Sequence, residues 1–112
     1  MKLTKKMIAE IEAKTSCGVS DYEDYYEIYV DNSCGEDFSF EINKGENEIE
    51  DIVSYCNDFD PSEHFSVWWG ANRGEPQDPR TLIDNCEEIG EHLTQLADLL
   101  GELSNWLIGA YL

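Results

Sequence analysis

At 112 residues the chain is long enough for one domain around one core, and its 41% hydrophobic and 12% aromatic content is globular, which argues against a disordered acidic tail. It carries 25 acidic side chains against seven basic ones, a net charge of −18, unevenly placed: residues 1–14 hold four bases and two acids (+2), the remainder 23 acids and three bases (−20). Phosphate and anionic membrane surfaces both need a basic footprint, so the balance argues against direct nucleic-acid or membrane binding and favours a basic protein surface as partner.

Residues 3–15 read as a short helix, with Thr4 as N-cap and Leu3, Met7, Ile8 and Ile11 near one stripe. Cys17–Ser20 reads as a glycine-containing break. Tyr22–Val30 alternates, with Tyr22, Asp24, Tyr26, Ile28 and Val30 on one face and Glu23, Tyr25, Glu27, Tyr29 and Asp31 on the other. Asp37–Ile42 alternates as well, and the turn residues between the two runs predict an antiparallel hairpin. Asn47 with Glu50 resembles a capping box for a helix over 47–57. Asp60-Pro61-Ser62-Glu63 is a second helix start, but residues 61–70 fit either a helix or a strand; residues 72–77 read as a loop. Asp78-Pro79 then opens the strongest element. Leu82, Cys86, Ile89, Leu93, Leu96, Leu100, Leu103 and Leu107 are spaced 4, 3, 4, 3, 4, 3, 4, a seam on a helix of about seven turns. The expected fold is a single α+β domain over 1–112: an antiparallel β-hairpin or three-stranded sheet packed against a long C-terminal helix and shorter helices.

Solubility alone calls for a net charge of roughly 2–8 in a small domain, so the excess acid points to a partner. Asp84, Glu88, Glu91, Gln95, Asp98 and Glu102 repeat the spacing of the leucine seam, displaced from it by about 200°, and so belong to the opposite side of the helix. From residue 81 onward there is no Lys or Arg to alternate with them. A second array, Glu23, Tyr25, Glu27, Tyr29 and Asp31, interleaves carboxylates with tyrosines that could anchor an Arg- or Lys-bearing partner. Trp68 and Trp69 are either both core or one core anchor and one exposed contact. The terminus from Trp106 to Leu112 is apolar on all sides and needs cover from the domain, a partner or a second copy in a homodimer.

Catalysis and cofactors find no support in the sequence, and no enzyme is expected. Asp58, Asp60, Glu63 and His64 lack EF-hand spacing, and Asp60 and Glu63 already serve a helix start; HExxH and nucleophile motifs are missing. His92, between acids, is expected on the exposed helix side. Cys17, Cys34, Cys56 and Cys86 form no CxxC pair, Met1–Thr15 lacks the apolar stretch of a secretory leader, and no apolar run of 18 residues occurs. Reduced thiols and a cytoplasmic location follow as expectations.

Gly35-Glu36-Asp37-Phe38-Ser39-Phe40, then Asn57-Asp58-Phe59-Asp60-Pro61-Ser62-Glu63-His64-Phe65, and the acidic, leucine-seamed run Pro79–Leu100 together resemble small acidic proteins carried by phages and mobile elements of gut bacteria. The resemblance spans about residues 22–100. It implies no activity and no catalytic residues, but it does imply a context, a bacterial host cell. Small acidic proteins on such elements resemble anti-restriction or anti-CRISPR inhibitors, some of which act as DNA mimics. An acidic inhibitor blocking the nucleic-acid-binding site of a host defence or other DNA-binding protein is therefore one expectation; a non-mimetic interaction or regulatory module using exposed Trp and Tyr is the alternative.

Overall fold

Thr4 starts the first regular element: its Oγ1 accepts from the Met7 N–H at 3.2 Å and caps α1 (Lys5–Lys14), on which Ile11 is fully buried. The structure, a computed structural model, describes residues 1–30, 38–72 and 79–112. Strands β1 (Cys17–Asp21), β2 (Tyr25–Val30) and β3 (Phe38–Asn43) follow, then helices α2 (Glu48–Asp58), α3 (Pro61–Asn72) and α4 (Pro79–Tyr111). The strands make one antiparallel sheet in the order β1-β2-β3, so the fold is α+β with a three-stranded sheet, a long C-terminal helix and shorter helices. The turn expected after Val30, with Asp31, Cys34 and Asp37, lies outside the described residues, as do residues 73–78 with the Asp78 cap.

Cys17–Ser20 is a strand, not a break. Cys17 and Val19 point inward opposite Val30 and Ile28, while Gly18 pairs with Tyr29, whose ring lies across it where any Cβ would collide. The glycine that reads as a breaker in one dimension is a close-approach site in three. Strand β2 starts three residues later than expected. The Tyr22 N–H donates to the Tyr25 carbonyl at 3.0 Å, so Glu23-Asp24 form a hairpin tip, and Tyr22 is exposed and stacked on the Tyr25 ring at 4.9 Å.

The capping box expected at α2 does not form. Asn47 makes no side-chain cap bond. The chain's first residues supply the partners: the Met1 carbonyl accepts from the Ile49 N–H at 3.0 Å, and the Met1 ammonium meets Glu50 at 2.7 Å. Glu48, 4% exposed, accepts from the Leu3 N–H at 2.8 Å and the Gly45 N–H at 2.9 Å. At α3 the sequence signal holds: the Asp60 carboxylate accepts from the Ser62 N–H at 2.9 Å, Pro61 is the first helical residue, and residues 61–70 are helix, not strand.

Helix α4 runs 33 residues, nearer nine turns than seven. At about 1.5 Å per residue it is about 50 Å long, which accounts for the 49 Å long dimension of the molecule. The core lies between the inner face of the sheet (Val19, Ile28, Phe40, Ile42), α2 (Ile49, Ile52, Val53, Cys56) and α4 from Leu93 to Leu107. Phe40 stacks on Tyr55 at 3.8 Å, and the Ser104 hydroxyl donates to Asn57 Oδ1 at 2.8 Å, fixing β3 and α4 to α2. The apolar C-terminus is partly covered within the chain: Leu107 is fully buried, Trp106 and Tyr111 are half-buried, and the Tyr111 hydroxyl donates to the Glu10 carboxylate. Ile108 and Leu112 remain exposed. The seam divides. Downstream of His92 it is core, whereas Cys86 and Ile89 are only half-buried and Ile83 beside them is exposed. There α4 pairs chiefly with α3, and the two form a helical arm. Among the described residues no helix is long and apolar enough to cross a membrane.

Candidate functional site

Helix α4 carries the first array as its periodicity requires. Asp84, Glu88, Glu91, Asp98 and Glu102 are all exposed, Gln95 is half-buried, and Glu87 adds a further exposed acid. Eighteen residues separate the ends of this array, about 27 Å along the axis. Basic side chains lie elsewhere. None occurs from Gly45 to Asn72 or after Arg80. Near the sheet, Lys44 is committed to Asp21 at 2.5 Å and lies over the Tyr26 ring at 4.8 Å, while Lys2 pairs with Glu46 at 3.7 Å.

The outer face of the sheet carries the second array, in part. Tyr25, Glu27 and Tyr29 alternate outward along β2, with Tyr29 exposed over Gly18. Glu41 on β3 is directly opposite Glu27, a like-charge pair that costs stability. Partial burial first, then the Glu41 carboxylate, Tyr22 and Glu27, raise the Tyr25 phenol above its ordinary pKa. Glu23 is exposed at the hairpin tip, not in the strand row, and Asp31 lies outside the described residues. The two arrays therefore sit on different layers, one on the sheet and one on the solvent side of α4.

The arm holds what the periodicity of the sequence does not reveal. An open groove of about 440 Å³ runs between α3 and β3 with α4 as its floor. Its apolar lining is Phe38, Val67, Trp68, Ile89, Leu93 and Leu96; Glu63, His64 and His92 supply the polar groups. His92, expected on the exposed side, is 6% exposed. It lies three residues after Ile89 and four before Leu96, on the flank of the seam, and that spacing was the available signal. Trp68 is half-buried in the groove and packs on Phe65 at 5.7 Å, whereas Trp69 is 36% exposed on another side of α3. The tryptophans are thus separated, and neither is fully core. Val67 is 70% exposed on the groove wall.

At the His64 end the groove meets a smaller depression of about 150 Å³ that shares Glu63 and His64 and adds Tyr55, Phe59, Asp58 and Asp60. The His64 ring packs on Phe59 at 4.7 Å and Phe38 at 6.3 Å, so it belongs to an aromatic cluster. Among the described residues no group of three or more His, Cys, Asp and Glu side chains could hold a metal ion. Cys17, Cys56 and Cys86 are free thiols. Burial pushes Cys17 up to about 11, against an opposing Thr15 hydrogen bond and with the Glu102 carboxylate adding to it. Burial, with Cys17 nearby, pushes Cys56 up to about 12. Thiols held protonated in this way are poor nucleophiles. Comparison with protein-family models, curated proteins and solved structures finds no match to this chain.

Proposed function

We propose that the protein is a non-catalytic, acidic protein-binding inhibitor whose partner presents a basic surface of the kind that otherwise holds nucleic acid. The observation that carries this reading is the solvent side of α4: five exposed carboxylates in helical register over about 27 Å, in a segment with no Lys or Arg. Successive members sit roughly 5 Å apart along the axis, the same order as the 3.4 Å rise of phosphates on a DNA strand. Carboxylates so arranged would compete with phosphate for a Lys/Arg groove, and association would be fast and salt-sensitive. The resemblance to phage-borne acidic proteins adds host defence proteins to the candidate class.

The test is affinity capture from a bacterial lysate with the wild-type chain and with Asp84, Glu88, Glu91, Asp98 and Glu102 all changed to Lys. The expected result is retention of basic, nucleic-acid-binding proteins by the wild type alone, released by raised salt and by excess duplex DNA. An identical captured set on both baits overturns the reading. A second reading, an interaction module that does not imitate nucleic acid, is favoured by the exposure of Val67, Trp69 and Tyr29. It requires capture that survives high salt and is lost on truncating those side chains to Ala.

A further inference from the structure

We infer that the groove between α3 and β3, with the acidic depression beside it, docks a helical segment of the basic partner that presents an apolar side chain and an arginine about one turn apart; this rests on the basic-partner reading above. Among the described residues, the two most exposed large hydrophobic side chains, Val67 and Ile83, both stand on the arm. Ile83 is 58% exposed, Val67 still more so, and Ile89 only half-buried, and α3 has no fully buried residue among its described ones. Helix α3 bears Phe65, Val67, Trp68 and Trp69 on several sides, so packing of one side against α4 leaves Val67 and Trp69 exposed. The groove has a floor from α4 (Ile89, Leu93, Leu96) and walls from α3 and Phe38. An apolar side chain seated there would displace water from an apolar lining.

Charge selects the occupant. A second copy would bring another net charge of −18 against acids that flank the arm, so self-association is opposed. A basic segment is attracted by the same acids. Next to the apolar groove, Asp58, Asp60 and Glu63 line one depression together with the Phe59 and His64 rings, and the two depressions share Glu63 and His64. Carboxylates beside aromatic faces suit a guanidinium, which can stack on a ring and donate to carboxylate oxygens together. The apolar slot and the cation slot are adjoining, which matches side chains spaced i, i+4 on a partner helix.

The probe is a fluorescein-labelled synthetic helical peptide of about fourteen residues, with two leucines four apart, one arginine on the next turn of the same face and lysines elsewhere. Binding is read by anisotropy at about 0.15 M salt, where long-range attraction is screened. Two control peptides replace both leucines by Ser, or the arginine by Gln. Val67→Glu changes an exposed wall residue and leaves the core alone; Asp58→Asn with Glu63→Gln removes two of the three charges of the cation slot; Glu12→Gln with Glu46→Gln removes the same charge from exposed positions outside the groove and both acidic arrays. Expected are at least about tenfold weaker binding for the Ser peptide and for Val67→Glu. The Asp58/Glu63 variant should discriminate the parent from the Gln peptide less than the wild type does, and the Glu12/Glu46 variant should bind the parent within about twofold of wild type. If the parent peptide does not bind, or binds with no sensitivity to Leu→Ser or Val67→Glu, the docking site is overturned, and lysate capture that still depends on α4 charge leaves the broader reading standing. Groove coupling in the peptide assay, with capture indifferent to α4 charge, supports the docking site and overturns the broader reading.

Discussion

Replacing Glu48 should unfasten the N-terminal segment from α2. The side chain is the first residue of that helix and almost wholly buried, and its two oxygens each take one backbone N–H, from Leu3 and Gly45, at 2.8 and 2.9 Å. Hydrogen bonds to a charged group contribute about 1.5–3 kcal/mol each, and a carboxylate in the first turn adds roughly 0.5 kcal/mol from the helix dipole. Some of this returns when water reaches the freed N–H groups, so Glu48→Ala should cost about 3–5 kcal/mol. At an unfolding entropy of about 2.1 cal/mol/K per residue, 112 residues give about 0.24 kcal/mol/K, and the midpoint should fall by about 13–21 °C. Glu48→Gln keeps one acceptor but turns an NH₂ group on the second N–H, and should lose at least about half as much. Glu50→Ala is the control. Its pair with the Met1 ammonium is exposed on both sides, and about 1 kcal/mol or less is expected. Urea unfolding followed by far-UV circular dichroism measures all three. A loss below about 1 kcal/mol for Glu48→Ala, or an equal loss for Glu50→Ala, refutes the buried clamp.

The two ends of the α4 seam should respond differently in the same assay: Leu100→Ala, fully buried, should cost about 2–5 kcal/mol, and Ile83→Ala, exposed on the arm, within about 0.5 kcal/mol. Glu27→Lys should stabilise by up to about 1 kcal/mol by turning the Glu27–Glu41 cross-strand repulsion into attraction, and the gain should shrink as salt is raised. Cys17 and Cys56 keep their protons in the folded state up to about 11 and about 12, whereas in the unfolded chain they release them from about 9; their contribution is therefore complete below pH 9 and drains as pH rises through the folded values. Cys17→Ala with Cys56→Ala should flatten that alkaline decline, and peptide mapping after iodoacetamide at pH 8 should find Cys86 alkylated before Cys17 or Cys56, an order whose reversal would contradict their burial.

Local chemistry was enough to place Thr4, Pro61 and the long helix, because caps and a 3.6-residue period act within a few neighbours. It also placed the carboxylates of α4 on its outer side and Tyr25, Glu27 and Tyr29 on the outer side of β2, since each set shares a face with itself whatever the rest of the chain does. Tertiary contact decided the rest. Gly18 became a strand residue because the Tyr29 ring needed a position without a side chain, and Asn47 lost its capping role because Met1 and Leu3, more than forty residues away, reached Glu48, Ile49 and Glu50 first. His92 turned inward and the tryptophans parted company because α3 lies along α4, an arrangement no periodicity within either helix specifies. The sequence alone therefore determined the α+β class and the sign of the surface. Only packing between elements distant in the chain decided where that acidic surface meets an apolar groove, because a groove is made by helices and strands that are neighbours in space and not in sequence.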